Sequence, residues 1–535
     1  MYLTFVRPAF ARSLYLSLAL FLTLGFASPV RAQLNAFTQS LAAAAASDAD
    51  IAAFYRDRNY HTLFTGAQDA ARRGALLSVL ARAGDHGLPV QRYDAAALTQ
   101  AFQSARTEGD RGRLEARMAL AFLDYARDIQ TGVLVPARVD AGIVRKVPLR
   151  DRRANLAAFE AGNPRDFLNT LPPKNAAYVQ LMKAKLQLEA RIADGGWGPT
   201  VPANNLKPGQ SGAAVVALRN RLIAMGHLQR SATQDYDVTI QKAVQSFQSS
   251  LGLTPDGVAG AGTLAEINVA PEARLKSVVV AMERERWMNI DRGRRHIWVN
   301  LADFSAKIID DGKVTFSTRS VVGKNTADRR SPEFSDMMEF MVINPSWNVP
   351  RSIATKEYLP QMQQNPNAAG HLRLIDGAGR VVSRAAVDFT QYTAANFPFD
   401  LKQPPSNGNA LGLVKFMFPN PYNIYLHDTP SKSLFDREVR DFSHGCIRLS
   451  DPFDFAYALL ARQTDDPIGE FKRHLNTGVE TQLMLKQPVP VHLVYFTAYP
   501  TAKGQMNYRR DVYGRDARIF DALTAAGVAL PGVQG

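Results

Sequence analysis

Apolar positions in the first third of the chain recur at helical steps. Leu114, Met118, Phe122, Tyr125 and Ile129 are spaced by three and four residues, which makes one face of a helix. A second window, 177–192, sets Tyr178, Leu181, Leu188 and Ile192 in one stripe among Lys, Gln and Glu. Proline-containing turns at Val135-Pro136 and Pro172-Pro173 lie between them. Residues 33–198 therefore read as a helical scaffold domain. Nothing in it groups into an acid–base constellation, and His61 and His86 read as surface or loop residues.

A Gly/Pro/Asn cluster from Gly195 to Asn205 marks a linker. Residues 206–269 follow as a compact unit with three helical patterns. Val215, Leu218 and Leu222 share one stripe, Ile240, Val244 and Phe247 another, and a short third helix closes the unit after Asp256-Gly257. Three helices without paired titratable residues describe a binding module and not an enzyme.

From about Ala270 one more helix leads into a different period. HIWVNLADFSAKIID and GKVTFSTRSVVG alternate in part, as strands do. Asn344-Pro345-Ser346-Trp347-Asn348-Val349-Pro350 is too rich in proline for a central strand and reads as a loop beside a site. Residues 352–403 break the strand pattern with a helix kinked at Pro360, a short hairpin and a polar aromatic stretch. An insertion of that length inside a sheet domain reads as a lid. Strands resume at 413–418 and 423–427, a helix follows in 451–463, and further strands are expected around 489–498 and 506–513. The fold class expected is multidomain α + β, with residues 275–535 forming a mostly-β domain that carries the lid.

The length of 535 residues exceeds what one hydrophobic core spans. A hydrophobic fraction of 46% and a charged fraction of 21% exclude disorder over most of it. Residues 1–32 have Arg7 and Arg12, an apolar run from Ser13 to Ala27, and Val30-Arg31-Ala32, the pattern of a cleavable signal peptide. The run is short for a membrane span, so the mature protein is expected to be exported and to have no span. The full chain's net charge of +14 suits an anionic wall polymer or membrane surface, and export argues against nucleic acid as a partner.

Export sharpens the meaning of the only cysteine, Cys446. An oxidising compartment favours paired cysteines, and this one has no partner in the chain, so a working thiol is the favoured reading over a buried small side chain. A thiol needs a base or a positive field to act as a nucleophile. His427 and His444 both lie within twenty residues of it. In the segment 423–427, Ile424 and Leu426 alternate with Tyr425 and His427, which puts Tyr425 and His427 on the cleft side of a strand. Reading His427, Asp428, His444 and Cys446 as zinc ligands fails for lack of short ligand spacings such as H-x-x-x-H. Neither metal nor cofactor is therefore expected.

Residues 206–269 resemble the peptidoglycan-binding domain 1 family through Pro208-Gly209-Gln210-Ser211-Gly212, Leu218-Arg219, Phe247-Gln248, Asp256-Gly257-Val258 and Thr263-Leu264. His427, fifteen intervening residues and Ser443-His444-Gly445-Cys446 resemble the signature of YkuD-type L,D-transpeptidases. With the helical scaffold, the chain is similar to the large YcbB-like branch, as are Asn344-Pro345, Trp347-Asn348, Asn409-Ala410-Leu411-Gly412 and Tyr425 to Pro430. Arg448 stands where some members have Asn. The resemblance implies a YkuD-like sandwich, Cys446 as nucleophile and His427 as base and later acid. The Asp428 carbonyl would orient the imidazole, the Gly445 and Cys446 N–H groups would form an oxyanion hole, and Ser443 and His444 would hold the turn. Tyr425, Arg448, Trp347 and Asn348 are candidate substrate-binding residues. The implied partner is periplasmic peptidoglycan: a tetrapeptide donor loses D-alanine, forms a thioester, and is joined 3→3 to a neighbouring stem. Inhibition by carbapenems is part of the same expectation. Hydrolysis of the stem, exchange of its terminal D-amino acid, and a silent wall-binding scaffold are the rival readings.

Overall fold

The predicted apolar stripes fold against one another. In the computed structural model, which describes residues 35–530, the helix Glu108–Thr131 opens on a capping box formed by Thr107 and Asp110. Leu114, Met118, Phe122, Tyr125 and Ile129 are all buried on it. Buried Glu115, beside that stripe, accepts from Tyr55 Oη at 2.7 Å and from the Thr65 N–H and hydroxyl at 2.8 and 2.7 Å. Those bonds make the buried charge tolerable and pin the 63–65 loop to the helix. His61 is exposed, but His86 is half-buried and its Nδ1 lies 3.1 Å from Tyr178 Oη. Burial, with Arg286 nearby, lowers its pKa to about 4. It is a packing residue, not a surface one.

The small unit has helices Ala213–Ala224, Val238–Ser250 and Ala261–Ile267 around its own core. Buried Gln248 holds its turn: its amide donates to Asp256 Oδ1 at 2.8 Å and accepts from the Gly257 N–H at 2.9 Å.

The helix Pro271–Trp287 is enclosed on nearly all sides, as a helix apolar through much of its length must be. Leu275 and Val278 to Met282 lie in the core of the helical domain. Its charged end is buried as well: Arg286 pairs with Glu283 at 2.8 Å, and Arg284 with Glu333 at 2.5 Å. The C-terminal helix Arg515–Ala525 adds Ile519 and Leu523 to the same core. A division of the chain at residue 275 is therefore too simple, because both helices pack with the N-terminal helices.

The β domain contains one nine-stranded sheet. Its strands are β1 (Arg295–Asn300), β2 (Ser305–Asp310), β3 (Lys313–Gly323), β4 (Phe334–Ile343), β5 (Val414–Met417), β6 (Leu426–His427), β7 (Asp441–Ser443), β8 (Ile447–Leu449) and β9 (Thr481–Val494). They run in the order β7-β3-β8-β6-β5-β4-β9-β1-β2, and a further β2–β3 pairing closes the sheet around its core. The helices Pro452–Leu460 and Pro467–Leu475 pack on it. The second of these is absent from the sequence reading.

The lid has its own four-stranded sheet and apolar core. Trp347–Asn348, read from sequence as loop, is an edge strand paired with Lys402 and Gln403. The preceding proline-rich stretch is short enough that two residues still reach a neighbour. The lid helix begins at Arg351 and passes through a π-turn, Ala354–Tyr358, just before Pro360, whose missing N–H disturbs the α-helical ladder.

The predicted signal peptide, residues 1–32, lies outside the described residues. Among those described, no helix is long and apolar enough to cross a membrane.

Candidate active site

Strand β6 sets the geometry. Ile424 and Leu426 are buried in the sheet core, while Tyr425 and His427 line a cavity of about 730 Å³ beneath the lid. β6 lies between β5 and β8, with His427 in register with Lys415 on one side and Arg448 on the other. Neighbours in register share a face, so Lys415, His427 and Arg448 form a row along the cavity wall. Cys446, immediately before β8, lines the same cavity, as do Ser443, His444, Trp347 and Asn348.

The imidazole is fixed from one side. His427 Nδ1 donates to the Asp428 carbonyl, which can only accept. That assigns the proton to Nδ1 and leaves Nε2 as the basic nitrogen. The Asp428 carboxylate has a different task. It accepts from the Leu413 N–H at 2.9 Å, the Thr429 N–H at 2.7 Å and Lys432 Nζ at 2.7 Å. It also packs against Gly412, whose φ of +62° and lack of a Cβ make room for it. Burial and then the neighbouring Arg448 lower the His427 pKa to about 3, so the ring rests neutral.

The thiol also rests uncharged. Cys446 is half-buried, and its Sγ lies 3.5 Å from the Asn423 carbonyl. Burial pushes its pKa up to about 11, against opposing contributions from Tyr425, Arg448 and Lys415. Among the described residues no hydrogen bond joins Cys446 to His427. The two groups therefore share the cavity as a neutral thiol and a neutral imidazole.

The catalytic turn differs from expectation at two residues. Ser443 holds it, donating to the Cys446 carbonyl at 2.5 Å and accepting from the Gly445 N–H at 3.1 Å. The Gly445 N–H is thus occupied and is not a free oxyanion donor. The Cys446 N–H makes no hydrogen bond among the described residues and can serve as one. Gly445 itself has φ +117°, a conformation that glycine adopts without strain. His444 leaves the turn altogether: its Nε2 lies 2.7 Å from Glu357 Oε1 on the lid. Arg329 Nη2 reaches the same oxygen at 2.7 Å. Glu357, Arg329 and Lys415 are the site residues that the sequence reading missed.

Asn344 and Asn409 support the site without entering it. Asn409 Nδ2 donates to the Pro345 and Pro404 carbonyls at 3.1 and 3.0 Å, which ties both ends of the lid together. Among the described residues no group of three or more His, Cys, Asp or Glu side chains is placed to hold a metal ion.

Residues 294–468, which include the whole of this cavity, match the family described as "L,D-transpeptidase catalytic domain". The chain carries an L,D-transpeptidase catalytic domain. Residues 49–184 match "Scaffold domain", and residues 211–267 match "Putative peptidoglycan binding domain". A Haemophilus influenzae protein named "Putative L,D-transpeptidase" is 31% identical over 246 residues, spanning 45% of this chain and 48% of the relative. The chain thus aligns with about half of that relative's length. Among solved structures, an L,D-transpeptidase from Xylanimonas cellulosilytica is 16% identical with a TM-score of 0.17, covering 55% of this chain and 98% of its own. A fused Zn-dependent amidase/peptidase/peptidoglycan-binding protein from Clostridium acetobutylicum is 12% identical with a TM-score of 0.15, covering 54% and 98%.

Proposed function

We propose that the protein is an exported, periplasmic L,D-transpeptidase that forms 3→3 cross-links between peptidoglycan stems through a thioester on Cys446. The observation that carries this reading is the shared, lidded cavity lined by the only thiol and by a histidine whose Nδ1 is held by the Asp428 carbonyl.

Cys446 Sγ attacks the carbonyl between diaminopimelate and the terminal D-alanine while His427 Nε2 takes the thiol proton. The tetrahedral oxyanion is met by the Cys446 N–H. His427 returns the proton to the departing amine, D-alanine leaves, and the acyl group stays on sulfur. The side-chain amine of a second stem then attacks the thioester, giving its proton to His427, which reprotonates the released thiol. The lid excludes water, which would otherwise hydrolyse the thioester. The peptidoglycan-binding module supports a polymeric wall substrate.

The test is incubation with purified disaccharide-tetrapeptide beside a Cys446→Ala variant. Cross-linked dimer with free D-alanine, absent from the variant, is expected. Tripeptide monomer alone would make the enzyme a hydrolase, and an unchanged substrate would contradict acyl transfer.

A further inference from the structure

Two cations flank His427, and among the described residues neither has a carboxylate within ion-pair distance. Among the described residues, Arg448 and Lys415 form no ion pair and no side-chain hydrogen bond, and Arg448 Nε is buried without any acceptor. Several fully buried arginines elsewhere are paired with acids, Arg284 and Arg515 with Glu333 and Arg286 with Glu283, whereas half-buried Arg448 has no such partner. Taking a cation out of water is costly unless an anion meets it. The acid that acts on Lys415 is Glu480, which accepts from the Ser346 N–H at 3.2 Å and is opposed by Lys402. Nothing comparable acts on Arg448, where the one attractive group is Cys446.

Position makes the imbalance specific. Arg448 lies two residues beyond Cys446, on the strand that Cys446 immediately precedes, and both line the cavity. Lys415 and Arg448 stand in register on either side of His427. A free amino acid released at Cys446 has a carboxylate one carbon beyond its leaving nitrogen, and both long side chains line the cavity in which it is released.

We propose that Arg448 and Lys415 form a carboxylate-binding subsite that holds the C-terminal carboxylate of the leaving amino acid. This rests on the acyl-transfer reading above and adds its donor specificity. The subsite admits donors that end in a free α-carboxylate one residue past the scissile bond, and rejects those extended or capped there. Arg448, with a planar fork, supplies the directional contact, and Lys415 supplies charge. Burial is the main reason that His427 rests neutral and the two cations add to it, so an incoming carboxylate offsets only their share of the bias against the imidazolium.

The experiment compares a tetrapeptide donor with the same peptide ending in a C-terminal amide, using the full-length mature protein. Release of alanine or alaninamide is followed by mass spectrometry. Charge-assisted hydrogen bonds of this kind discriminate by roughly 10–100-fold in kcat/KM. The wild type is expected to favour the carboxylate donor by that factor, and the ratio is expected to collapse below about threefold in Arg448→Gln and to fall in Lys415→Gln. Circular dichroism first verifies that each variant is folded, and Lys415→Gln carries the test if Arg448→Gln is not. Equal wild-type rates on both donors, or full discrimination retained in a folded variant, would overturn the subsite. A wild type that releases nothing from either donor would instead contradict acyl transfer itself.

Discussion

Glu357 Oε1 lies 2.7 Å from His444 Nε2, so the lid is fastened to a residue two positions before Cys446. Arg329 shares the same oxygen at 2.7 Å, and one carboxylate therefore joins the lid, the catalytic turn and the loop after β3. All three side chains are partly exposed, and a latch of this kind contributes at most about 1 kcal/mol. That suits a gate. Glu357→Gln is expected to leave the melting temperature almost unchanged while the lid opens more often, and alkylation of Cys446 by iodoacetamide should speed up by about two- to fivefold. An unaltered alkylation rate would mean that the lid is held by its apolar contacts alone.

Ser443 predicts a different outcome. Its hydroxyl satisfies the Gly445 N–H and the Cys446 carbonyl at once. Ser443→Ala orphans both in a buried turn, at a cost of about 1–3 kcal/mol. Chemical denaturation should show a lower midpoint with an unchanged slope, and acyl transfer should weaken as the turn loosens. An unchanged midpoint would show that the backbone holds the turn without the hydroxyl.

The pH dependence follows from two groups that both rest neutral. With the Cys446 thiol pushed up to about 11, iodoacetamide, which reacts with the thiolate, should label it about tenfold faster per pH unit from 6 to 9 without levelling off. His427 acts on stability in the opposite range. Its folded pKa of about 3 lies below the unfolded value near 6.5. Between these limits the unfolded chain binds a proton that the folded ring refuses, so stability is complete above about 6.5 and declines as pH falls towards 3. His86, His227 and His492 are lowered in the same way, so His427→Asn should make the decline shallower without abolishing it in a series of denaturant titrations. A plateau in labelling near neutral pH would indicate a preformed thiolate–imidazolium pair, contrary to the geometry described.

How much of this was legible in the chain depends on separation along it. His427, Ser443, Gly445 and Cys446 lie within twenty residues, and strand alternation alone places His427 and Tyr425 on the cleft side. The stripe from Leu114 to Ile129 is buried throughout for the same local reason. Glu357 and Arg329 escaped notice because Glu357 reaches His444 from 87 residues away and Arg329 meets Glu357 from 28, on a π-turn and a loop that have no periodic pattern. Lys415 escaped because strand register, not sequence, puts it beside His427. The occupied Gly445 N–H depends on the rotamer of one serine, which no pattern encodes. The helix Pro271–Trp287 misleads in another way. Its run Glu283 to Arg286 looks like a solvated face but is buried against Glu333 and Asp516, on strands and helices that fold up from both directions.

Intact-mass measurement tests most directly whether the Cys446 thiol accepts an acyl group. The purified mature protein is incubated with a carbapenem and weighed beside a Cys446→Ala variant. A single adduct of one inhibitor molecule on the wild type, absent from the variant, is the predicted result. A folded wild-type protein that gains no mass, or a variant that gains the same mass, would contradict the assignment of Cys446 as the nucleophile.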